Sequence, residues 1–304
     1  MMEDILSGAL GFFEVGAFVL LVMELSALLE ELFSVRAELR KGFTGTKTSL
    51  IKIFSRHCLR LLRIEGGLRR HMGAGIKFAL IFVSAGLLPL WDGRVTLSVN
   101  HSLWIFLGIT LFGPVLHLVF AWLFNRGSGW PIVLTSAERA IGSATVLFIL
   151  SITVVAMTGA DRFADFQKSQ EVHGWLVIRN PLAIPLLMAF SVVTLFSSFQ
   201  TIFSRTGDER EEGWSFDDLL LPLRRSVWSV FMADVFLGGA DFSGLGGGGI
   251  LLVKCVSINV FSAIGAHLFF QLREDQAESF ILWRLAPVSI LILVLSLLLP
   301  GGVV

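Results

Sequence analysis

Cysteine is scarce in this 304-residue chain, with only Cys58 and Cys255 present, and tyrosine is absent. The two cysteines lie far apart, and no Cys-x-x-Cys pair or Cys/His cluster accompanies them. This pattern argues against a disulfide, a zinc site or an iron–sulfur cluster held by this chain. The sequence also lacks a nucleophile elbow, an H-E-x-x-H motif and a P-loop. We therefore expect a chain that is not catalytic on its own and binds no metal.

One glycine-rich run, from Gly244 to Gly249, formally fits the G-x-G-x-x-G pattern of dinucleotide-binding proteins. It follows no predicted strand and opens no βαβ unit, so the pattern does not indicate nucleotide binding. We expect a flexible connector there.

Charged residues are also few, at 16%, against 54% hydrophobic residues and a mean hydropathy of +0.77. These values lie well outside the range of soluble proteins and predict a polytopic membrane protein. The first residues, Met-Met-Glu-Asp, lack the positive region of a cleaved signal, so we expect the first apolar run to be retained as a span. We expect a single transmembrane domain over residues 1–304.

The apolar runs predict an all-α fold of about eight transmembrane helices. Each run is near the roughly 20 residues that cross a bilayer, except the short sixth. The predicted spans are 5–33, 73–91, 102–124, 137–158, 181–203, 224–238, 250–271 and 280–299.

Positive charge is concentrated in the loop 34–77, which holds eleven Lys or Arg against two acids in a chain of zero net charge. A basic loop between two spans is expected to face the cytoplasm. With this loop inside, nineteen Lys or Arg lie in inside loops and four in outside loops. The bias predicts a multi-pass protein of the cell (inner) membrane with both termini extracytoplasmic, and it places the mixed-charge loop 204–225 in the cytoplasm.

Within the basic loop, one stretch has the pattern of an amphipathic helix. Apolar residues from Leu50 to Leu62 share one helical stripe, and Lys52, Arg56, Arg60 and Arg63 share the opposite one. The helix is typical of an anchor lying in the membrane interface. The alternative is that its cationic face docks a peripheral subunit, and the sequence leaves both interpretations open.

Ionisable residues inside spans are the candidates for function, because each costs about 2.5–3.5 kcal/mol at the membrane centre unless it faces protein or water. One hypothesis makes them a line of proton-exchanging groups in the bundle interior. The alternative is structural: Asp234 pairs with Lys254, Glu24 pairs with an arginine at the cytoplasmic rim, and histidines bond across helices. The candidates are Glu14, Glu24, Glu138, Asp234, Lys254 and His267.

Several short segments resemble the H-subunit family of NADH-quinone oxidoreductase (respiratory complex I) and the related membrane subunits of formate hydrogenlyase and membrane-bound hydrogenase complexes. Lys254 matches a lysine near the start of that family's seventh span. The family's other motifs are similar to Arg60-Leu-Leu-Arg-Ile-Glu65, Ser136-Ala-Glu-Arg-Ala140, Phe231-Met-Ala-Asp234, Leu272-Arg-Glu-Asp-Gln276 and Trp283-Arg284 with Pro287. The family also has eight spans and an outside N-terminus, so this chain resembles a divergent member.

The resemblance implies a membrane-arm subunit of a proton- or sodium-translocating oxidoreductase, which links a cytoplasmic redox module to antiporter-like subunits. Its partners would be these subunits and lipid, with no nucleic acid. The expected docking residues are Arg36, Arg40, Arg56, Arg60, Arg63, Arg273 and Asp275.

The family also implies a quinone, whose tail would pass between the first span and the amphipathic helix. In this chain Ser197-Ser-Phe-Gln-Thr-Ile-Phe203 replaces the family's element with a carboxylate and a Pro-Phe-Asp turn. A quinone-free, ferredoxin-driven complex is therefore equally open. A stand-alone secondary transporter and a non-pumping structural scaffold are the alternatives from other classes.

Overall fold

The computed structural model describes residues 11–26, 78–89, 99–110, 130–203, 216–240, 245–269 and 279–298, together with positions 29, 97 and 276. Among these, the side chains of 130–140, 195–203, 216–222, 245–246 and 263–269 are not described. The predicted basic loop and its amphipathic helix lie outside the described residues.

The described part of the chain is almost entirely helical, which confirms the all-α prediction. The helices are α1 (11–26), α2 (78–86), α3 (102–110), α4 (Trp130–Thr158), α5 (Phe163–His173), α6 (Leu176–Arg179), α7 (Ala183–Phe203), α8 (Phe216–Phe236), α9 (Leu245–Phe269) and α10 (Ala286–Leu298). A π-helical segment, Ile281–Leu285, leads into α10. It ends two residues before Pro287, which has no N–H for the regular helical ladder.

Within the described residues, two helices are long and apolar enough to cross a membrane, at Ile141–Thr158 and Ile281–Leu298. Only 17% of the second stretch is buried inside the protein, so its apolar surface faces outward. A long apolar helix with an exposed surface is typical of a lipid-facing span and not of a soluble core. Shorter apolar stretches occur at Ala183–Thr194 and Gly247–Ser262. The count of eight spans stays a prediction.

Helix α8 is the centre of the described bundle, and its residues 226–236 are all buried. It packs against α5, α6, α7 and α9, and Gln170 of α5 contacts its last turn. A helix that is buried all round belongs in the core of a bundle. The outer pair, α4 and α10, pack on each other, and α4 also contacts α7.

Aromatic rings fix the position of α8 relative to its neighbours. Phe231 stacks on Phe106 of α3 with ring centroids 5.0 Å apart, and it meets Phe163 of α5 edge-on at 5.9 Å. Phe190 of α7 lies 5.5 Å from the same ring. Such aromatic pairs each stabilise packing beyond the area they bury. The last two turns of α8 are therefore held by α3, α5 and α7 together.

Two predicted boundaries were wrong. Helix α9 begins at Leu245, so the glycines from Gly246 to Gly249 form its first turns and are not a flexible connector. Glycine is a poor helix former in water, yet small residues allow close helix packing inside a membrane protein. Helix α8 begins at Phe216, eight residues before the predicted sixth span. Asp217 and Asp218 fall in its first turn, where the helix dipole favours negative charge.

Candidate functional site

A line of polar groups, all buried except the half-buried Arg225, runs between α8 and α9, and we call it the polar seam. It consists of three residues of α8 and three of α9. As the residue numbers rise along α8, the numbers of their contacts on α9 fall. The two helices are therefore antiparallel along the seam. Its members are Arg225, Ser229, Asp234, Lys254, Cys255 and Asn259.

One end of the seam is tied to the first helix. The Nη2 atom of Arg225 donates to the backbone oxygen of Asn259 over 3.0 Å. The Asn259 side chain donates in turn to the hydroxyl of Ser26 in α1 over 2.9 Å. Because hydrogen bonds to charged groups contribute about 1.5–3 kcal/mol, this chain of contacts helps to fix α1 against α8 and α9.

In the middle of the seam, a hydrogen bond joins the side chains of Ser229 and Cys255. Both residues are fully buried. The Ser229 hydroxyl also donates to the backbone oxygen of Ser226 over 2.7 Å. The seam is thus polar but uncharged at this point.

The other end of the seam holds a buried cation. The ammonium group of Lys254, with the residue only 8% exposed, donates to the backbone oxygens of Leu237 at 2.6 Å and Gly239 at 2.8 Å. It also lies 4.5 Å from the ring centroid of Trp175, in a cation–π contact. These carbonyls follow the C-terminus of α8, where the helix dipole favours a positive charge.

Asp234 provides the negative charge that counters Lys254, and the residue is 1% exposed. The charge of Lys254 acts on it electrostatically. Within the described part of the chain, neither carboxylate oxygen of Asp234 accepts a hydrogen bond. Burying a carboxylate without hydrogen bonds lowers the stability of the folded protein. Asp234 therefore does not stand at this position for stability alone.

The short helix α5 closes this end of the seam. The Nε2 atom of Gln170 donates to the backbone oxygens of Asp234 at 2.9 Å and Val235 at 2.8 Å. These oxygens belong to the last turn of α8, which has no helical partners for them. Ala233 is satisfied separately, because its oxygen accepts from the N–H groups of Leu237 and Gly239. Helix α5 therefore caps α8 with a side chain.

Gly239 brings the Asp234 carboxylate and Gln167 of α5 together. Its φ of +54° is in the left-handed region that favours glycine. A Cβ atom at this position would lie 2.5 Å from Oδ1 of Asp234 and 2.8 Å from Nε2 of Gln167. The two polar atoms thus share the space that only a glycine leaves open.

We expect Gly239→Ala to destabilise the protein more than Gly159→Ala does. Both glycines have positive φ, so each alanine costs about 1 kcal/mol for the left-handed backbone. Only the alanine at Gly239 also collides with two polar side chains, whereas no heavy atom lies within 4 Å at Gly159. Thermal unfolding in detergent measures the difference, and equal losses for the two variants would contradict this account of the site.

The structure brings together two of the six predicted ion-pathway residues, Asp234 and Lys254. Glu14 is exposed on α1, and Glu24 is half-buried on the same helix. Glu138 and His267 lie on α4 and α9, but their side chains are outside the described set. All seven predicted docking residues also lie outside the described residues.

Gln167 and Gln170 are absent from the predicted site because they lie in the polar segment between the predicted spans 137–158 and 181–203, where a loop outside the membrane is expected. The sequence does contain a pattern that indicates their burial. Phe163, Phe166, Gln167 and Gln170 recur at spacings of three, one and three, which is one face of a helix. All four are buried in the structure.

No protein-family model matches the chain, and no curated protein matches it by sequence. Among solved structures, a chain in the structure of the membrane-bound sulfane sulfur reductase, an archaeal respiratory membrane complex, is similar in fold. The TM-score is 0.71 at 15% sequence identity, and the match covers 97% of this chain and 99% of that chain. At this identity the similarity shows a shared fold, that of a chain from a respiratory membrane complex.

Proposed function

We propose that this chain is a membrane-arm subunit of a hydrogenase-like or complex I-like oxidoreductase. It joins a cytoplasmic redox module to antiporter-like pumping subunits, and its polar seam takes part in ion translocation. The observation that carries the proposal is the pair of buried opposite charges, Asp234 and Lys254, at one end of a polar line between two core helices. Ionisable groups in such positions are typical of ion routes. The fold similarity to a chain of a respiratory membrane complex supports it.

The two ends of the seam are far enough apart to be distinct but close enough to interact electrostatically. Arg225 and Asp234 lie nine positions apart on α8, which is about 14 Å along the helix axis. At an effective dielectric constant of about 20, a unit charge change at one end alters the energy of a charge at the other by about 1 kcal/mol. This is roughly a fivefold shift of an equilibrium constant. A redox event on the Arg225 side therefore biases, but does not by itself force, a charge movement at Asp234.

Docking of the redox module on the basic loop 34–77 is part of this proposal. Its support is the concentration of positive charge in a predicted inside loop. The expected quinone path, between the first span and the amphipathic helix, lies in the same region outside the described residues. The proposal does not require a quinone.

Gentle detergent purification of the full chain from its native membranes tests the proposed assembly. We expect redox subunits and antiporter-like membrane subunits to accompany it. Recovery of the chain by itself, with undiminished activity, would favour the stand-alone transporter instead.

The exposure of Glu14 is evidence that a neighbouring membrane subunit contacts α1. Its side chain is exposed on α1, within the first predicted span, beside the 78% exposed Phe13. A carboxylate facing lipid there would cost about 2.5–3.5 kcal/mol, which a basic or hydrogen-bonding side chain of a partner subunit would offset.

We expect Glu14→Leu to weaken the attachment of that neighbouring subunit while the chain still inserts. The leucine removes the polar contact and leaves an apolar surface that lipid covers well. The measurement is the subunit composition of the purified complex on a native gel. Phe13→Leu, on the adjacent exposed position, is the control and should keep the full composition. An intact complex in Glu14→Leu would remove Glu14 from the interface.

A further inference from the structure

Four buried polar atoms around the Asp234 end of the seam make no hydrogen bond within the described part of the chain. They are both carboxylate oxygens of Asp234, Nε2 of Gln167 and Oε1 of Gln170. Gln167 is 7% exposed and Gln170 is 9% exposed, so bulk water does not satisfy them. The set contains one amide donor group and three acceptor oxygens, all gathered where α5 covers the end of α8.

We infer that this site binds an internal water molecule, which relays protons to and from Asp234. A water molecule accepts from the Gln167 amide and donates to an Asp234 oxygen and to the Gln170 oxygen. Three hydrogen bonds to otherwise unsatisfied polar groups are the usual arrangement for buried water in proteins. Gln170 is well placed to orient the site, because its Nε2 atom is already anchored on two carbonyls of α8.

The ligand chemistry favours water over a metal cation such as sodium. The backbone oxygens around the site are already used: those of Leu237 and Gly239 accept from the Lys254 ammonium group, and those of Asp234 and Val235 accept from Gln170. Hard cations bind through about six oxygen atoms, whereas this site offers three free oxygens, two from Asp234 and one from Gln170. The charges of Asp234 and Lys254 also balance, so a second cation would add an uncompensated charge to a buried site.

The inference rests on the proposed function and names the ion: Asp234 exchanges a proton. The Asp234 carboxyl group gives its proton to the bound water, and that water passes one of its protons to solvent at the exposed face of α5. The carboxylate that remains is balanced by the positive charge of Lys254. Return of a proton along the same path restores the neutral carboxyl and the water. Gln167 is a positioning residue in this scheme, because it holds the water and does not itself take the proton.

The test follows protonation of Asp234 by infrared difference spectroscopy on the purified full chain after an acid pH jump. Subtracting the spectrum of Asp234→Asn isolates the band of this carboxyl. We expect Gln167→Met to slow the appearance of the band by about tenfold or more, since a positioned proton-transfer group commonly contributes a hundredfold or more. The unfolding temperature should not fall, because Gln167 Nε2 makes no hydrogen bond to any described residue.

Lys168→Met is the matched control, since it places the same side chain on the exposed face of the same helix. Its protonation rate should equal that of the unmodified chain. Three results would overturn the inference: an unchanged rate in Gln167→Met, an Asp234 band that does not respond to the jump, or a carboxylate band that shifts when sodium chloride replaces choline chloride. The experiment uses the chain without redox turnover, so its failure is distinct from failure of the proposed pumping role.

Discussion

Asp234→Asn should abolish coupled ion movement while the complex still assembles and electron transfer continues. Asparagine has nearly the same shape as aspartate, so the packing of the C-terminal end of α8 is retained. It has no exchangeable carboxyl proton and no negative charge to balance Lys254, so the site loses the group that titrates. The measurement is redox-driven ion movement into sealed vesicles that contain the complex.

The matched control for this prediction is Asp165→Asn. Asp165 lies on the exposed face of α5, close in sequence to the glutamines that cover Asp234, and the chemical change is the same. Ion movement should be unaffected there. If Asp234→Asn moved as many ions as the unmodified complex, the residue would lie off the route, and the structural interpretation of the Asp234–Lys254 pair would stand.

Lys254→Met should be the most destabilising single substitution in the polar seam. It leaves the Asp234 carboxylate buried without its counter-charge, and it removes the donor to the carbonyls of Leu237 and Gly239. Removing one partner of a buried pair commonly costs about 3–5 kcal/mol. Chemical or thermal unfolding in detergent measures this loss.

A double-mutant cycle separates the charge effect from the loss of packing. Combining Lys254→Met with Asp234→Asn removes both charges, so the double variant should recover part of the stability lost by Lys254→Met alone. Lys168→Met serves as the exposed control and should change stability little. If Lys254→Met costs no more than this control, or if the two losses simply add, the charges do not interact in the way the structure indicates.

The charged part of the site was predictable from sequence, and its surroundings were not. Asp234 and Lys254 stand out because charged residues within apolar runs are rare and expensive. The sequence could not show that Lys254 would bind the carbonyls after α8, because those oxygens become available only once Gly238 and Gly239 end the helix with positive φ. Backbone acceptors have no side-chain signature.

Helix α5 shows why the uncharged part of the site escaped detection. Its sequence, Phe163–His173, is polar enough to be interpreted as an exposed connection, and its apolar anchors are only two phenylalanines. Burial of Gln167 and Gln170 depends on Phe163 reaching the aromatic cluster around Phe231, a contact between residues far apart in sequence. Such long-range packing overrides local polarity.

The glycine run was predicted as a connector but is helical in the structure. Four consecutive glycines, Gly246 to Gly249, have low helix propensity in water and were predicted to connect two spans. In the structure they open α9, with Gly247 buried. The helix continues through Lys254, which binds the backbone oxygens just after the end of α8.

The most direct test of the central claim compares the isolated full chain with the purified complex, each reconstituted into sealed vesicles. The account predicts that the complex moves ions when its redox reaction runs and that the chain alone moves none under an imposed ion gradient. Ion movement by the chain alone, at a rate matching that of the complex, would contradict its assignment as a subunit of a larger machine.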